Sequence, residues 1–66
     1  KASDYKTGDL VTWMINDKLP HIGIVTNKKS ADGKRNLIVH NVGGGQVLED
    51  CLFLYKITGR YRYQKP

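Results

Sequence analysis

The sequence has little of what usually stabilises a short chain. It contains 66 residues and one cysteine, Cys51, so an internal disulfide is excluded. Its two histidines, His21 and His40, are far apart, and no CxxC or HxxxH pair gives the spacing of a structural zinc site. Chains of about 60 residues bury only about 60% of their unfolded surface, which makes the core marginal. We therefore expect no metal and no cofactor, and we expect stabilisation from outside this chain.

The sequence also lacks a long hydrophobic run and an initiating methionine. No apolar stretch is long enough to span a membrane or to form the core of a signal peptide. Because the chain starts at Lys1, we expect residues 1–66 to be a single β subdomain of a longer protein whose N-terminal part is missing.

Positive charge is in excess. The net charge is +5 and the isoelectric point is about 9.6. Such an excess favours polyanionic partners, although a small domain also carries charge simply to remain soluble.

Short alternating runs separated by turn residues predict antiparallel β-structure. Asp32-Gly33 is typical of a hairpin turn, and Pro20 belongs at the beginning of a strand. "VGGGQ" is too rich in glycine for a strand interior and predicts a loop. "LEDCLFLYKI" predicts an irregular turn into the last strand, with one helical turn as the alternative. The fold class is all-β, a small antiparallel curled sheet or partly open barrel of four to five strands. The predicted strands are "GDLVTWMIN", "HIGIVTN", "LIVHN" and "KITGRYRY".

The last predicted strand alternates in character. Ile57, Gly59, Tyr61 and Tyr63 would share one face, and Lys56, Thr58, Arg60 and Arg62 the other. This alternation predicts a solvated basic face over an aromatic core. Because the arginines and tyrosines would point apart, they would not form one stacking platform, and nucleic acid is not the expected partner.

The two histidines are the candidates for chemistry. A tight turn at Asp32-Gly33 would place His40 opposite Val25, and a looser turn opposite Gly23, diagonal to His21. Any odd sum of paired residue numbers keeps both rings on one face, and an even sum separates them. If they share a face, we expect the rings within roughly 7–8 Å, with Gly23 leaving room between them. Two such rings resemble a base and its orienting partner.

Several motifs in fixed order resemble a known family. "TGDLVTW", "LPHIGIV", "SADGK", "VHNVGGG" and "ED" before "KITGRYRY" together are similar to the C-terminal third of a bacterial envelope family, domain of unknown function 1287. That family in turn resembles the NlpC-type cell-wall cysteine peptidases, which have a papain-like fold. The resemblance extends over residues 6–63 and implies that this chain is the sheet half of an α+β papain-like fold.

The resemblance also implies roles for individual residues. His21 matches the general base, and His40 matches the polar residue that orients it, with Asn41 as the alternative to His40. The base would take the proton of a thiol, and the second ring would hold its tautomer. We also consider Trp13, Gly43 and Gly44 as candidates for lining a substrate cleft, although Trp13 is expected in the core.

The nucleophile of the resembling family lies on a helix upstream of this chain. Cys51 falls where that family generally has an aliphatic residue, and we interpret it as a small buried hydrophobe. No nucleophile is therefore predicted here, and the chain by itself is expected to be inactive.

These inferences lead to three hypotheses. The first is the base-bearing part of a cysteine peptidase or amidase that acts on peptidoglycan or another peptide in the bacterial periplasm or cell envelope, with the missing N-terminal segment as its partner. The second is a small SH3-like module that binds an anionic polymer or nucleic acid through Arg60 and Arg62. The third is a metal site made by His21, His40 and an acidic residue.

Overall fold

Five antiparallel strands form one open sheet in the computed structural model, which describes residues 1–62. The strands lie in the order β4-β3-β2-β1-β5, and a short 3-10 turn at Ala2–Asp4 precedes them. The all-β prediction is confirmed. None of the described residues forms a helix that is long and apolar enough to cross a membrane. The strand bounds are β1 Leu10–Ile15, β2 Leu19–Lys29, β3 Asn36–Val42, β4 Gly45–Glu49 and β5 Lys56–Tyr61.

Tight turns join β1 to β2 and β3 to β4, whereas residues 30–35 form a longer connection between β2 and β3. Asn16 and Asp17 join β1 to β2 with φ angles of 53° and 58°, in the left-handed region that Asn and Asp tolerate. Gly43 and Gly44 join β3 to β4, so that Val42 pairs directly with Gly45. The prediction of a loop throughout "VGGGQ" was wrong, because only two of its residues are needed for the turn. The irregular turn before β5 is confirmed: residues 50–55 form turns and bends.

One face of the sheet carries the core. Its buried apolar side chains come from the strands and from the connection between β4 and β5. The Trp13 indole Nε1 donates a hydrogen bond of 2.8 Å to the carbonyl oxygen of Leu52, which fastens that connection over the sheet. Fully burying a side chain of this size contributes about 2 kcal/mol. The core residues are Val11, Trp13, Val25, Ile38, Cys51 and Leu52.

The other face presents apolar side chains to solvent. One line of directly paired residues crosses all five strands on this face. Four of its five members are exposed, by 38% to 59%. Exposed apolar surface of this extent is typical of an interface with another element. We call this set the apolar row; its members are Tyr61, Leu10, Ile24, Val39 and Leu48.

The strand β5 does not alternate as predicted. Its register against β1 shifts between Thr12 and Trp13, so Ile57 pairs with Trp13 while Arg60 pairs with Val11. Both Trp13 and Val11 point into the core. A bulge reverses the alternation, because one extra residue moves all later side chains to the other face. Arg60 therefore lies on the core side and Tyr61 is exposed, which corrects the predicted basic face over an aromatic core; Tyr63 lies outside the described residues.

Two arginines neutralise a buried carboxylate. Asp9 is 1% exposed. The Arg62 side chain donates two hydrogen bonds of 2.8 Å to it, and the backbone N–H of Lys6 donates a third of 2.9 Å. An Arg60 nitrogen lies 3.7 Å from the same carboxylate. The sequence pattern does not reveal the role of Asp9, because its two arginine partners lie more than 50 residues further along the chain.

The Asp9→Asn substitution should destabilise the sheet in a pH-dependent way. The hydrogen bonds from Arg62 hold the pKa of Asp9 well below its usual value of 3.8. A depressed carboxyl pKa stabilises the fold above about pH 4, and that contribution is lost as the pH falls through the folded pKa. We expect a loss of about 1–2 kcal/mol at pH 7, below the upper range for charged hydrogen bonds because the arginine side chains are 39% exposed.

Urea denaturation of both proteins between pH 7 and pH 3 measures this effect. The difference between wild type and Asp9→Asn should shrink toward low pH. The control is Asp17→Asn, which changes an exposed residue of the β1–β2 turn and should have little effect. A difference that stays constant across this range would show that the charge of Asp9 contributes nothing.

Candidate functional site

The two histidines lie on the neighbouring strands β2 and β3 with their rings on one face of the sheet. His40 pairs with Gly23, and His21 is two residues before Gly23 on β2. This is the looser of the two predicted registers, and its odd sum confirms the shared face. Beside the turn, Lys29 pairs with Asn36 in the register of the tight turn, and the shift between Val25 and Lys29 changes it to the looser register at the histidines.

The rings are in direct contact. His21 Nε2 lies 2.7 Å from His40 Nδ1, a hydrogen-bond distance. The ring centroids are 4.9 Å apart and the rings are nearly perpendicular, at 84°. The rings therefore lie within the predicted limit of roughly 7–8 Å, and that prediction is confirmed.

A carboxylate extends the pair. Glu49 Oε1 lies 2.7 Å from His40 Nε2. Glu49 pairs with Ile38 and Val47 pairs with His40, so Glu49 is diagonal to His40 on the same face. The sequence pattern did not identify Glu49, because "VGGGQ" predicts a loop and leaves the register of Glu49 undefined. A two-residue Gly43-Gly44 hairpin would have predicted this register directly.

The order of partners fixes the direction of the hydrogen bonds. A carboxylate only accepts, so His40 Nε2 donates its proton to Glu49. In neutral His40 the other nitrogen, Nδ1, is then an acceptor, and it receives the Nε2 proton of His21. His21 is left with an unprotonated Nδ1, the atom of a general base. We call this arrangement the Glu49–His40–His21 chain.

The two histidines of the Glu49–His40–His21 chain differ in exposure. His40 is 4% exposed, whereas His21 is only partly buried. His21 lies beside the rings of Trp13 and Tyr55, with centroids 5.8 Å and 6.4 Å away. The base is therefore at the surface, and the residue that orients it is inside.

The role predicted for Gly23 needs correction. A Cβ atom at Gly23 would lie 2.5 Å from Ile38 Cγ2 and 2.9 Å from Trp13 Cη2. The missing side chain makes room for the core, and not for the approach of the two histidine rings.

Three further predictions are corrected by side-chain positions. Asn41 follows His40 on β3 and is exposed on the opposite face, so it does not replace His40 beside His21. Trp13 is 1% exposed and therefore forms no wall of an open cleft. Gly43 and Gly44 form an exposed turn, and among residues 1–62 nothing lies within 4 Å of an added Cβ, so no described residue faces them across a cleft.

Cys51 is buried, as predicted, but it is not isolated. Its Sγ lies 3.5 Å from His40 Nε2, a contact that its sequence position did not suggest. Burial, and then the charges of Glu49 and Asp50, raise the pKa of the Cys51 thiol to about 11. An activated nucleophile needs the opposite shift, so this cysteine is held as an inert thiol.

A metal would find its ligands here in a different set from the one predicted. The ligand atoms of His40, Glu49 and Cys51 lie within 4.8 Å of one another. His21 is outside this group, because it bonds the other nitrogen of His40.

Comparison with known proteins places this site in a family. The family model for "Domain of unknown function (DUF1287)" matches residues 1–63, nearly the whole chain. The chain belongs to the DUF1287 family. It is 44% identical over 61 residues to the "Uncharacterized protein YijF" of Escherichia coli (strain K12). The aligned region covers 92% of this chain and 29% of that relative. No solved structure matches the chain.

The DUF1287 match includes all three members of the Glu49–His40–His21 chain. The curated relative is much longer than this chain, which spans about 29% of its length. This DUF1287 domain thus carries a histidine site, while most of such a relative lies outside the aligned region.

Proposed function

We propose that this DUF1287 domain is the base-bearing sheet of a papain-like cysteine hydrolase that cleaves peptide or amide bonds. The observation that carries the proposal is the Glu49–His40–His21 chain, with both of its hydrogen bonds at 2.7 Å. A carboxylate that orients a histidine, which in turn orients a partly exposed base, is the arrangement that activates a nucleophile.

In the proposed reaction, His21 Nδ1 takes the proton of a cysteine thiol. The thiolate attacks the carbonyl carbon, and His21 returns the proton to the leaving amine. Water then hydrolyses the thioester, again with His21 as base. His40 holds the ring of His21 in place and stabilises its charged form. Glu49 in turn holds the ring of His40 by accepting its Nε2 proton.

The nucleophile in this proposal comes from outside the 66 residues. Cys51, the chain's single cysteine, is buried and has a raised thiol pKa. The apolar row supports a second structural layer, because an open sheet with an exposed apolar face is stabilised when another element covers it. That layer would lie on the face opposite the two histidines, so the nucleophile has to reach His21 on the other face of the sheet. The sheet would then be one half of an α+β fold, in the C-terminal third of a longer chain.

The substrate class follows from the resemblance to NlpC-type peptidases. It implies peptidoglycan peptides as substrates and the bacterial periplasm or cell envelope as the location.

Cysteine labelling in a full-length DUF1287 protein tests this proposal. We expect release of peptides from peptidoglycan fragments, and rapid modification by iodoacetamide at a cysteine outside this domain. Cys51 should react slowly in the folded protein, because burial blocks access and its pKa of about 11 leaves little thiolate at neutral pH. Mass spectrometry identifies the modified residue, and the liberated amines measure hydrolysis.

The matched variants separate the two possible nucleophiles. Cys51→Ala should retain hydrolysis per folded molecule, whereas replacing the rapidly labelled cysteine by alanine should abolish it. Urea-unfolded protein should show fast labelling of Cys51, which confirms that the fold protects it. Loss of hydrolysis on alkylation of Cys51 alone would overturn the assignment.

The binding-module hypothesis finds its positive charge elsewhere than predicted. Arg60 and Arg62 face the buried Asp9 carboxylate, which balances one of their two positive charges within the domain. A surface depression that includes Lys6, Lys29 and Lys34 is the alternative site for an anionic polymer. Surface lysines around a depression are common, and we favour the hydrolase.

A further inference from the structure

Three side chains of different chemistry converge on one ring nitrogen. Cys51 Sγ lies 3.5 Å and Glu49 Oε1 lies 2.7 Å from His40 Nε2. All three atoms lie within 4.8 Å of one another. Cys51 and His40 are buried, while the Glu49 side chain is 55% exposed. The cluster is thus fixed on two sides by the core and open to solvent on the third.

The spacing suits zinc. Tetrahedral zinc with a Zn–S distance of about 2.3 Å and a Zn–N distance of about 2.0 Å separates sulfur from nitrogen by roughly 3.5 Å. Cys51 and His40 already have this separation. The Glu49 Oε1 atom, 2.7 Å from His40 Nε2, would move back to the roughly 3.3 Å that separates two ligands at about 2.0 Å from a tetrahedral zinc, and its 55% exposed side chain is free to do so. Water can complete the coordination on the exposed side.

The remaining nitrogen of His40 has the partner that a metal-bound histidine needs. A histidine that binds a metal through one nitrogen donates the proton of the other to an acceptor, which fixes its orientation. His21 Nε2, 2.7 Å from His40 Nδ1, is that acceptor. A set of three ligands with such a supporting partner is more than a lone cysteine near a histidine.

We propose that His40, Glu49 and Cys51 bind a zinc ion, and that zinc binding switches off the base His21. The first part stands on the cluster alone. The second part rests on the proposed function, because it assigns a regulatory effect to the same histidine pair.

The switch follows from the tautomers. Without metal, His40 Nε2 carries a proton toward Glu49, Nδ1 accepts from His21, and His21 Nδ1 is free to take a proton. Zinc requires the thiolate of Cys51, whose proton is released to solvent. It also requires the lone pair of His40 Nε2, so the proton of neutral His40 moves to Nδ1. His40 then donates to His21 Nε2, and the proton of His21 moves to its own Nδ1. The atom that would accept a thiol proton is thereby occupied.

Nitrogen NMR of the histidine rings in the 66-residue chain, titrated with zinc chloride, tests both parts. We expect saturation at one zinc per chain, with a metal-bound shift at His40 Nε2. The protonated nitrogen of His21 should change from Nε2 to Nδ1. Calorimetry on the same samples gives the affinity.

The variants identify the ligands. Cys51→Ala should weaken zinc binding by more than about 100-fold, since loss of even a supporting partner costs about 10–100-fold. Asp17→Asn changes an exposed carboxylate of the β1–β2 turn that is not part of the cluster, and it should leave the zinc affinity unchanged. Equal zinc affinity of wild type and Cys51→Ala would overturn the site. Zinc bound at His40 with the His21 tautomer unchanged would overturn the switch.

The result separates the two proposals. Zinc binding and the tautomers are measured without any substrate, so an inactive full-length protein leaves the zinc site standing. If the full-length protein hydrolyses peptides but this domain does not bind zinc, the zinc site is refuted and the proposed hydrolase function is supported.

Discussion

The His21→Ala substitution in a full-length DUF1287 protein should lower turnover by roughly 10²–10⁴-fold, the usual contribution of a positioned general base. The fold should survive at a cost of about 1–3 kcal/mol, because His21 is partly exposed near the beginning of β2 but its removal leaves Nδ1 of the buried His40 without a hydrogen-bond partner. The measurement is peptide release from peptidoglycan fragments per folded molecule, with the folded fraction taken from circular dichroism.

Substitutions of the other members of the Glu49–His40–His21 chain should lower turnover by smaller amounts. His40→Ala should lower turnover less than His21→Ala, since His40 acts through the base and does not touch the substrate. It should also destabilise the domain, because His40 is buried and bonded on both ring nitrogens. Glu49→Gln is the mildest change, because the amide oxygen still accepts the proton of His40 Nε2.

A different pattern would refute catalysis by His21. If it has only a structural role, activity will follow the folded fraction in all three variants. A His21→Ala protein with wild-type turnover per folded molecule would show that the histidine is an ordinary strand residue.

The Gly23→Ala substitution should destabilise the domain by about 3 kcal/mol, the upper range for overpacking of a core. The new Cβ would lie 2.5 Å from Ile38 Cγ2 and 2.9 Å from Trp13 Cη2. Trp13 has little freedom to move, because its indole nitrogen is bonded to the Leu52 carbonyl. For a domain of this size, about 3 kcal/mol corresponds to a fall in Tm of about 12–24 °C. Gly23→Val should cost more.

Thermal unfolding by circular dichroism measures this loss, and a second glycine provides the control. Gly44→Ala adds a methyl group in an exposed turn with nothing within 4 Å, and it should change stability by less than about 0.5 kcal/mol. If the two variants have the same Tm, the core has room for a methyl group at Gly23 and the close contacts are relieved without loss of stability.

The histidine pair could be predicted because it depends on local rules. Side chains two apart on a strand share a face, and direct pairs between antiparallel strands do too, so His21 and His40 needed only an odd register. Which odd register forms depends on the loop between the strands. The shift between Val25 and Lys29 belongs to the folded sheet and has no clear signal in the residues.

The strand β4 and Glu49 were missed for a related reason. Glycine has a low preference for strands, so "VGGGQ" favours a loop when it is considered alone. In the folded sheet Gly45 and Gln46 pair with Val42 and Asn41, and the neighbouring strand supplies the hydrogen bonds that propensity does not. That pairing is what brings Glu49 to His40.

By itself, the sequence determined the all-β class, the common face of the two histidines and the burial of Cys51, because alternation, turn residues and hydrophobicity act over a few residues. Only the tertiary structure decided the contacts of Cys51 with His40, of Arg62 with Asp9, and the reversal of faces in β5. These depend on how the connection after β4 closes over the sheet and where β5 slips by one residue against β1. Both are settled by packing between segments that lie far apart in the chain, and no short pattern of residues encodes them.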